Sequence, residues 1–504
     1  MKDLLNNTIK YTFAFIFFII FILLIIVDTK IKYNYINLSK ISNIIILLII
    51  LLIFLIFYYL NRKIKNKINI NEKKVIKIIF ISLFIIQIII FKNIYFETGW
   101  DVKLLRETAI NYSITNIFTN NYHYDLYPYF DIYPNNIFLT SIFSYIIKFG
   151  YLINITNPNK LLVLINILLI DLTGIITLKT IKNFSDNKKT IIISAILYSL
   201  FIGLSPWFLI PYSDTYSIIF PISILYNYTK KNKKKYNYFL IGLLSIIGYL
   251  IKPTNIIVLI AIVIIEAINF IFTKKKEIKE NIKKITPVIV GILIAILINK
   301  INLYIIDYKP NKEYQFTFYH YLMMGSNEKT TGGYNEKDFF NSVGKNSYKE
   351  RIKYNKEIFI KRMKEKNINE HINFYKKKLL LIYNDGSLAW GKEGQFYFFI
   401  ENNYNLLSNY LKNIFYNDGE YYSIFSTITQ MIWLIIISFS LISSIINKNK
   451  DLNVMYLTII GLTLFLLLFE ARARYLYLYI PYFIVLATLG MEKLSLLLNK
   501  KIYR

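Results

Sequence analysis

The feature that most constrains this chain is its series of long apolar runs, the first of which, YTFAFIFFIIFILLIIV at residues 11–27, carries no charge. Hydrocarbon offers backbone N–H and C=O groups no partner, so a crossing segment must be a helix of about 20 mostly apolar residues. Comparable runs recur near 42–60, 75–95, 161–181, 190–204, 215–228, 237–251, 255–272, 286–306, 423–446, 453–469 and 475–490, which gives twelve expected spans. The first lacks a small-residue cleavage site and is too long for a removed signal peptide, so it reads as a retained span. The expectation is an all-α polytopic membrane protein. Mean hydropathy of +0.41 and 18% charged residues exclude a disordered chain and an ordinary soluble enzyme.

Lys and Arg number 60 against 31 acids, for a net charge of +29. In a spanning chain such an excess marks cytoplasmic loops rather than a nucleic-acid partner. The stretches Arg62–Lys74, KKNKKK at 230–235, TKKKEIKENIKK at 273–284 and the tail with Lys500, Lys501 and Arg504 all fall on one side if both termini are cytoplasmic. Lys182, Lys188 and Lys189 join them only if the further apolar run at 137–155 does not cross. That run is therefore expected to lie in the outer interface, with Lys148 snorkelling. The division that follows is two leading spans and a basic loop (1–74), a membrane core with a first outer loop (75–306, loop 96–160), a long outer segment (307–422) and closing spans (423–504). The long segment, with 18 basic and 14 acidic residues, is near neutral, unlike the inner loops. No internal repeat is visible, which counts against a transporter built from repeated halves.

Candidate chemistry gathers on the expected outer face. In YFETGWDVKLLRE, Glu97 and Asp101 are four apart and would share a helix face, with Lys103 and Arg106 following. A catalytic carboxylate beside cations for a phosphate is one reading; a helix start capped by Thr98 is the other. The next stretch, YHYDLYPYFDIYPNN, holds Asp125, Asp131, Tyr133 and Asn135 among aromatics that either stack on a sugar or form an interface belt. Asp214 in PYSD is an N-cap or an acid of the site, and Lys252 in IKPT is solvated or holds a lipid phosphate. Glu470, Arg472 and Arg474 in FEARARY place three charges in a short turn, where two guanidiniums facing one acid suit an anion. Asn384 and Asp385 in YNDGSLAWGKEG, with the glycine-rich MGSNEKTTGGYN, either close over a polar substrate or form turns. Asp171 and Glu266 fall within spans. No Cys and three His leave little for a thiol nucleophile or a His-rich metal site.

The order TGWDVKLL, YPNNIFLTSIF, the SP…YSD turn, IKPT, a long outer segment and ARARYLYLYIP resembles polytopic glycosyltransferases of the GT-C superfamily. The similarity is to bacterial transferases of the polyprenyl-phosphate-sugar mannosyltransferase and aminoarabinose-transferase type, and it begins near residue 75. The two spans before that look like an addition to the shared core. What the resemblance implies is a donor sugar on a polyprenyl phosphate and a glycan, glycolipid or protein acceptor at the outer leaflet. By position in TGWD, Asp101 corresponds to the catalytic acid residue, acting as base with Glu97 as its neighbour. Arg472 and Arg474, with Lys252, Lys103 and Arg106, would hold the lipid phosphate. Asp131, Tyr133, Asn135, Asp214, Glu470, Asn384 and Asp385 would contact substrate. No cofactor is required, although related oligosaccharyltransferases bind Mg²⁺ or Mn²⁺. The rival classes are a cell-envelope polysaccharide polymerase or ligase, and a lipid or polysaccharide transporter.

Overall fold

The computed structural model describes residues 1–26, 43–45, 47–49, 51–52, 71–123, 126–272, 278–401 and 405–502. The expected span at 42–60, the basic loop after it, much of the 273–284 stretch and Asp125 lie wholly or largely outside these residues. What is described is helical almost throughout, with two short strand pairs. Eight helices among the described residues are long and apolar enough to cross a membrane. Three further expected spans are helical but shorter: Lys188–Tyr198 continued by the turn Ser199–Gly203, Ile219–Thr229 and Lys235–Ile251.

The membrane helices used below are α1 (Lys2–Ile26), α2 (Glu72–Asn93), α5 (Asn159–Lys182), α6 (Lys188–Tyr198), α7 (Ile219–Thr229), α8 (Lys235–Ile251), α9 (Ile256–Ile271), α10 (Ile278–Ile305), α16 (Tyr422–Ile446), α17 (Asn453–Leu468) and α18 (Ile480–Ile502). Between α2 and α5 lie strand β1 (Phe96–Thr98), helix α3 (Trp100–Thr115) and helix α4 (Ile137–Leu152), the segment expected in the interface. A short turn at Pro134–Asn136 leads into α4. The long segment contributes α11 (Phe318–Gly325), α12 (Glu336–Val343), α13 (Tyr348–Lys364), α14 (Ile368–Tyr383), strand β2 (Tyr397–Ile400) and α15 (Leu406–Phe415).

Local chemistry sets these boundaries. Asn71 accepts from Lys74 N–H at the start of α2, and Asn367 with Glu370 forms a capping box on α14. Hydroxyls inside the bundle bond back along their own helices, as Thr140, Ser141 and Ser144 do in α4 and Thr173, Thr177 and Thr180 in α5. That leaves them satisfied without water. Tyr479 and Tyr482 donate across helices to the carbonyls of Thr254 and Pro221.

The contacts define two ends of the bundle. At one end Lys182 meets Glu72 (2.7 Å), Ser185 meets Glu492 (2.9 Å), Lys450 meets Asp3 (2.6 Å) and Lys233 caps Tyr228 C=O. The loops expected to be cytoplasmic are thus neighbours. At the other end β1 pairs antiparallel with β2, Phe96 opposite Ile400, which joins the first loop to the long segment. The leading helix is not peripheral. Phe13 packs on Tyr456, and Phe17 packs on Tyr383 and Phe483.

Helices α8 and α10 approach at paired glycines. A Cβ on Gly242 would collide with Val288 C=O, and one on Gly291 with Phe239 C=O. Without a hydrophobic drive between helices in lipid, such close backbone packing does the holding. Gly242→Leu is therefore expected to destabilise the fold by about 1–3 kcal/mol through overpacking. A thermal unfolding series in detergent checks this, and an unchanged midpoint would show that the crossing tolerates bulk.

Candidate functional site

The loop-bearing end of the bundle collects charge. Asp214 lies in the helical turn Ser213–Tyr216 before α7, but it does not cap that turn; Tyr212 occupies the N-cap. The Asp214 carboxylate is buried against two cations. Its Oδ1 accepts from Lys252 Nζ, and its Oδ2 lies 3.7 Å from Arg474 Nε. Lys252, read from sequence as solvated or phosphate-binding, is buried in this pair, with its ammonium 4.5 Å from the Tyr475 ring centre. Arg474 Nε lies 3.2 Å from Glu393 Oε2. Arg472 Nη1 reaches the same oxygen at 3.2 Å, while its Nε donates to Glu470 at 2.9 Å. Tyr475 adds a hydrogen bond to Glu470 at 3.3 Å. The chain Lys252–Asp214–Arg474–Glu393–Arg472–Glu470 thus runs through four connections that are remote in sequence.

Asp101 stands beside this chain. Its Oδ2 accepts the Tyr212 hydroxyl at 3.0 Å. Trp100 meets the Tyr212 ring edge to face at 4.9 Å, and the Arg474 guanidinium lies 4.5 Å from the Trp100 ring. Trp100 itself adopts a positive φ of 42°, and such strained backbone clusters at functional sites. Burial, and then the Asp101 charge, push the Tyr212 hydroxyl well above its ordinary pKa, so it stays a donor to Asp101.

Opposite lie tyrosines from other segments. Tyr133 packs on Tyr129 and Phe316, and the Arg472 guanidinium lies 5.8 Å from the Tyr334 ring. Burial, then Glu470 and Asp101, raise the Tyr321 hydroxyl. Trp100, Asp101, Tyr133, Tyr321, Tyr334, Glu470, Arg472 and Tyr475 are all part-exposed, while Asp214, Lys252, Glu393 and Arg474 lie buried beneath. The result is a part-exposed, aromatic-rich surface above a buried layer of alternating charge.

Other expected residues are placed elsewhere. Glu97 and Asp101 do not share a helix face, because Glu97 is on β1 and Asp101 opens α3. Thr98 does not cap α3; its hydroxyl donates to Phe396 C=O. Glu97 is held by Tyr95 (3.0 Å), Asn159 (3.1 Å) and Arg106 (3.3 Å), in a small cleft also lined by Phe143 and Leu209. Lys103 pairs with Glu107 and lies over Phe398, so Lys103 and Arg106 do not face Arg472 and Arg474. Asp131 accepts from Tyr308 hydroxyl (2.7 Å) and Asn311 N–H (2.8 Å), which joins the first loop to the long segment. Asn135 donates to Asn136. Asn384 accepts from Asn43. Asp385 holds the turn that follows it, accepting from Ser387 and Ala389. That turn delivers Glu393, which the sequence reading passed over although GKEG was in view. Mid-span Asp171 is buried, and Glu266 accepts from Tyr228 at 2.8 Å near the basic end.

The donor set does not suit a resident Mg²⁺ or Mn²⁺. Asp214, Glu393 and Glu470 each already face a cation, and no three His, Asp or Glu converge among the described residues.

A family model described as a conserved hypothetical integral membrane protein matches residues 1–495, and the chain belongs to that family. Comparison with curated proteins and comparison with solved structures each return no match.

One buried lysine supports the Glu470 turn. Lys378 on α14 donates to Gly325 C=O (2.6 Å) and Phe469 C=O (2.7 Å). Burial lowers its pKa to about 7, with Glu470 opposing the shift and Lys366 adding to it. A neutral amine has two N–H groups, which matches the two carbonyls. Between about pH 7 and 10 the unfolded chain retains a proton that the folded one has released, so stability is expected to rise with pH across that window. Lys378→Met should flatten the rise; melting curves over the same pH range check it, and a persisting slope would assign it to another group.

Proposed function

We propose, taking membership of an integral membrane family as the premise, that the chain is a glycosyltransferase using a polyprenyl-phosphate-linked sugar at the extracytoplasmic face. The observation that supports this most is proximity: one carboxylate, Asp101, is joined through Tyr212 and Trp100 to the network that holds a pair of guanidiniums. The GT-C-like order of motifs in the sequence agrees with it.

In this reading the acceptor hydroxyl docks at Asp101, which removes its proton as the new glycosidic bond forms. Tyr212 holds the other side of the carboxylate in place. The sugar leaves the lipid phosphate with inversion, in a single displacement that needs one base rather than two carboxylates. Arg472, part-exposed, and Arg474, buried beneath, take up the charge that develops on the departing phosphate. Lys252 acts through Asp214, which it neutralises, rather than by touching the donor. The tyrosines and Trp100 offer ring faces to a pyranose. An acceptor that is a glycan, a glycolipid or a protein would enter from the exposed side.

The bundle end carrying these residues is assigned outward because the basic loops gather at the other. The absence of cysteine makes the assignment easy to test. A single cysteine at Asn417 should react with an impermeant maleimide in intact cells, and one at Lys234 only after permeabilisation. The reverse pattern would invert the topology and end the proposal.

Asp101→Asn is expected to reduce sugar transfer from a lipid-linked donor by about 10²–10⁴-fold, the usual worth of a positioned base, while the protein still inserts. Arg472→Gln should weaken donor use more than acceptor use. Transfer unaffected by Asp101→Asn in a membrane assay would remove that residue from the chemistry.

A further inference from the structure

The buried layer of the site carries more internal anion than a phosphate site needs. Asp214, Glu393 and Glu470 offset Lys252, Arg472 and Arg474, with Asp101 beside them. A phosphate arriving at the arginines would find their charge already spent. Glu393 is the acid that spends it. Its Oε2 lies 3.2 Å from both Arg472 Nη1 and Arg474 Nε, the place that an oxygen of a bound phosphate would take. The contact is one of charge without good hydrogen-bond geometry. Glu393 Oε2, Arg474 Nε and Asp214 Oδ2 are all buried and have no hydrogen-bond partner among the described residues. Glu393, Arg474 and Asp214 are each more than nine-tenths buried.

Glu393 is also the acid carried by the least regular backbone. It lies in the turn Trp390–Gly394, which contains Gly391 and Gly394. The turn is entered through Leu388 and Ala389, at φ 56° and 64°, a left-handed conformation that non-glycine residues avoid. Asp214 is instead clamped by Lys252, and Glu470 directly follows Phe469, whose carbonyl Lys378 holds.

We infer that Glu393 is an internal counter-anion on the arginine pair, and that a lipid phosphate ester binds by displacing it, so that Glu393 sets the affinity of the site for its anionic ligand. This rests on the phosphate-binding reading of Arg472 and Arg474. Glu393 does not touch reacting atoms; it acts through the arginines.

The test is equilibrium binding to the full chain in detergent, read from the intrinsic fluorescence of Trp100 and its neighbours, with farnesyl monophosphate and inorganic phosphate as separate probes. Glu393→Gln should bind the farnesyl ester about tenfold more tightly than wild type, since removing a competing charge at a close pair has effects of at least this order. A gain of affinity is a result that damage to a merely structural clasp does not produce. Glu393→Asp, which keeps the charge but withdraws it by one methylene, should fall between the two and carries the test if Glu393→Gln does not fold. Glu401→Gln, at the Lys160 pair elsewhere on this end, should match wild type. If wild type binds the ester and both Glu393 variants bind it equally or less well, the counter-anion role is wrong and the arginine site stands. If no form binds the ester, the phosphate reading falls and the inference with it. Inorganic phosphate binding as tightly as the ester would replace the lipid by a free anion.

Discussion

Charge buried beside a membrane must be answered by opposite charge, and that requirement organises this molecule. Taking one ion out of water costs several kcal/mol, and the cost is recovered only where a partner is fixed close by. Here the partners come from four connections: the turn before α7, the α8–α9 link, the turn between α14 and β2 and the α17–α18 link. Only the α17–α18 link pairs charge within itself, Arg472 with Glu470, and its Arg474 still draws its acids from the other connections. The network thereby ties the four connections to a common end of the bundle.

The same constraint explains what was legible in the sequence. Apolar length revealed the spans, since hydrocarbon admits only helices of sufficient length, and α1, α2, α5, α9, α10, α16, α17 and α18 each overlap an expected run, with α1 starting earlier and α18 ending later than its run. Length alone misleads at 190–204, where the helix gives way to the Ser199–Gly203 turn, and at 215–228, where Asp214 and its turn take up the first residues. Of the site, the charged residues in short turns were visible because charge is scarce there: Asp101, Asp214, Lys252, Glu470, Arg472 and Arg474. Their pairing was not. Glu393 is one acid among fourteen in a solvated-looking segment, and its address depends on the Asp385 turn and on Trp390 packing against Trp207. Glu97 was visible for the same reason as Asp101, but β1 pairing with a strand some three hundred residues later turned it toward Arg106. Nothing in the local pattern announces that pairing.

The aromatic surface has a similar history. With 44 tyrosines in the chain, no single one stands out by composition. Tyr133, Tyr212, Tyr321, Tyr334 and Tyr475 are distinguished only by which charges they face. A hydroxyl held by a carboxylate and a ring face offered to a cation are both uses of tyrosine that leave the other part available, which suits a surface that must meet hydroxyls and sugar faces together.

The packing of α1 has a consequence for how the chain is made. Its rings close on Tyr456, Tyr383 and Phe483, and Asn6 is bonded to Asn453, a residue 447 positions later. α1, made before these partners, therefore waits in the bilayer until α14, α17 and α18 emerge. Packing of α1 is thus a late event, one that a chain broken off before α17 would not reach.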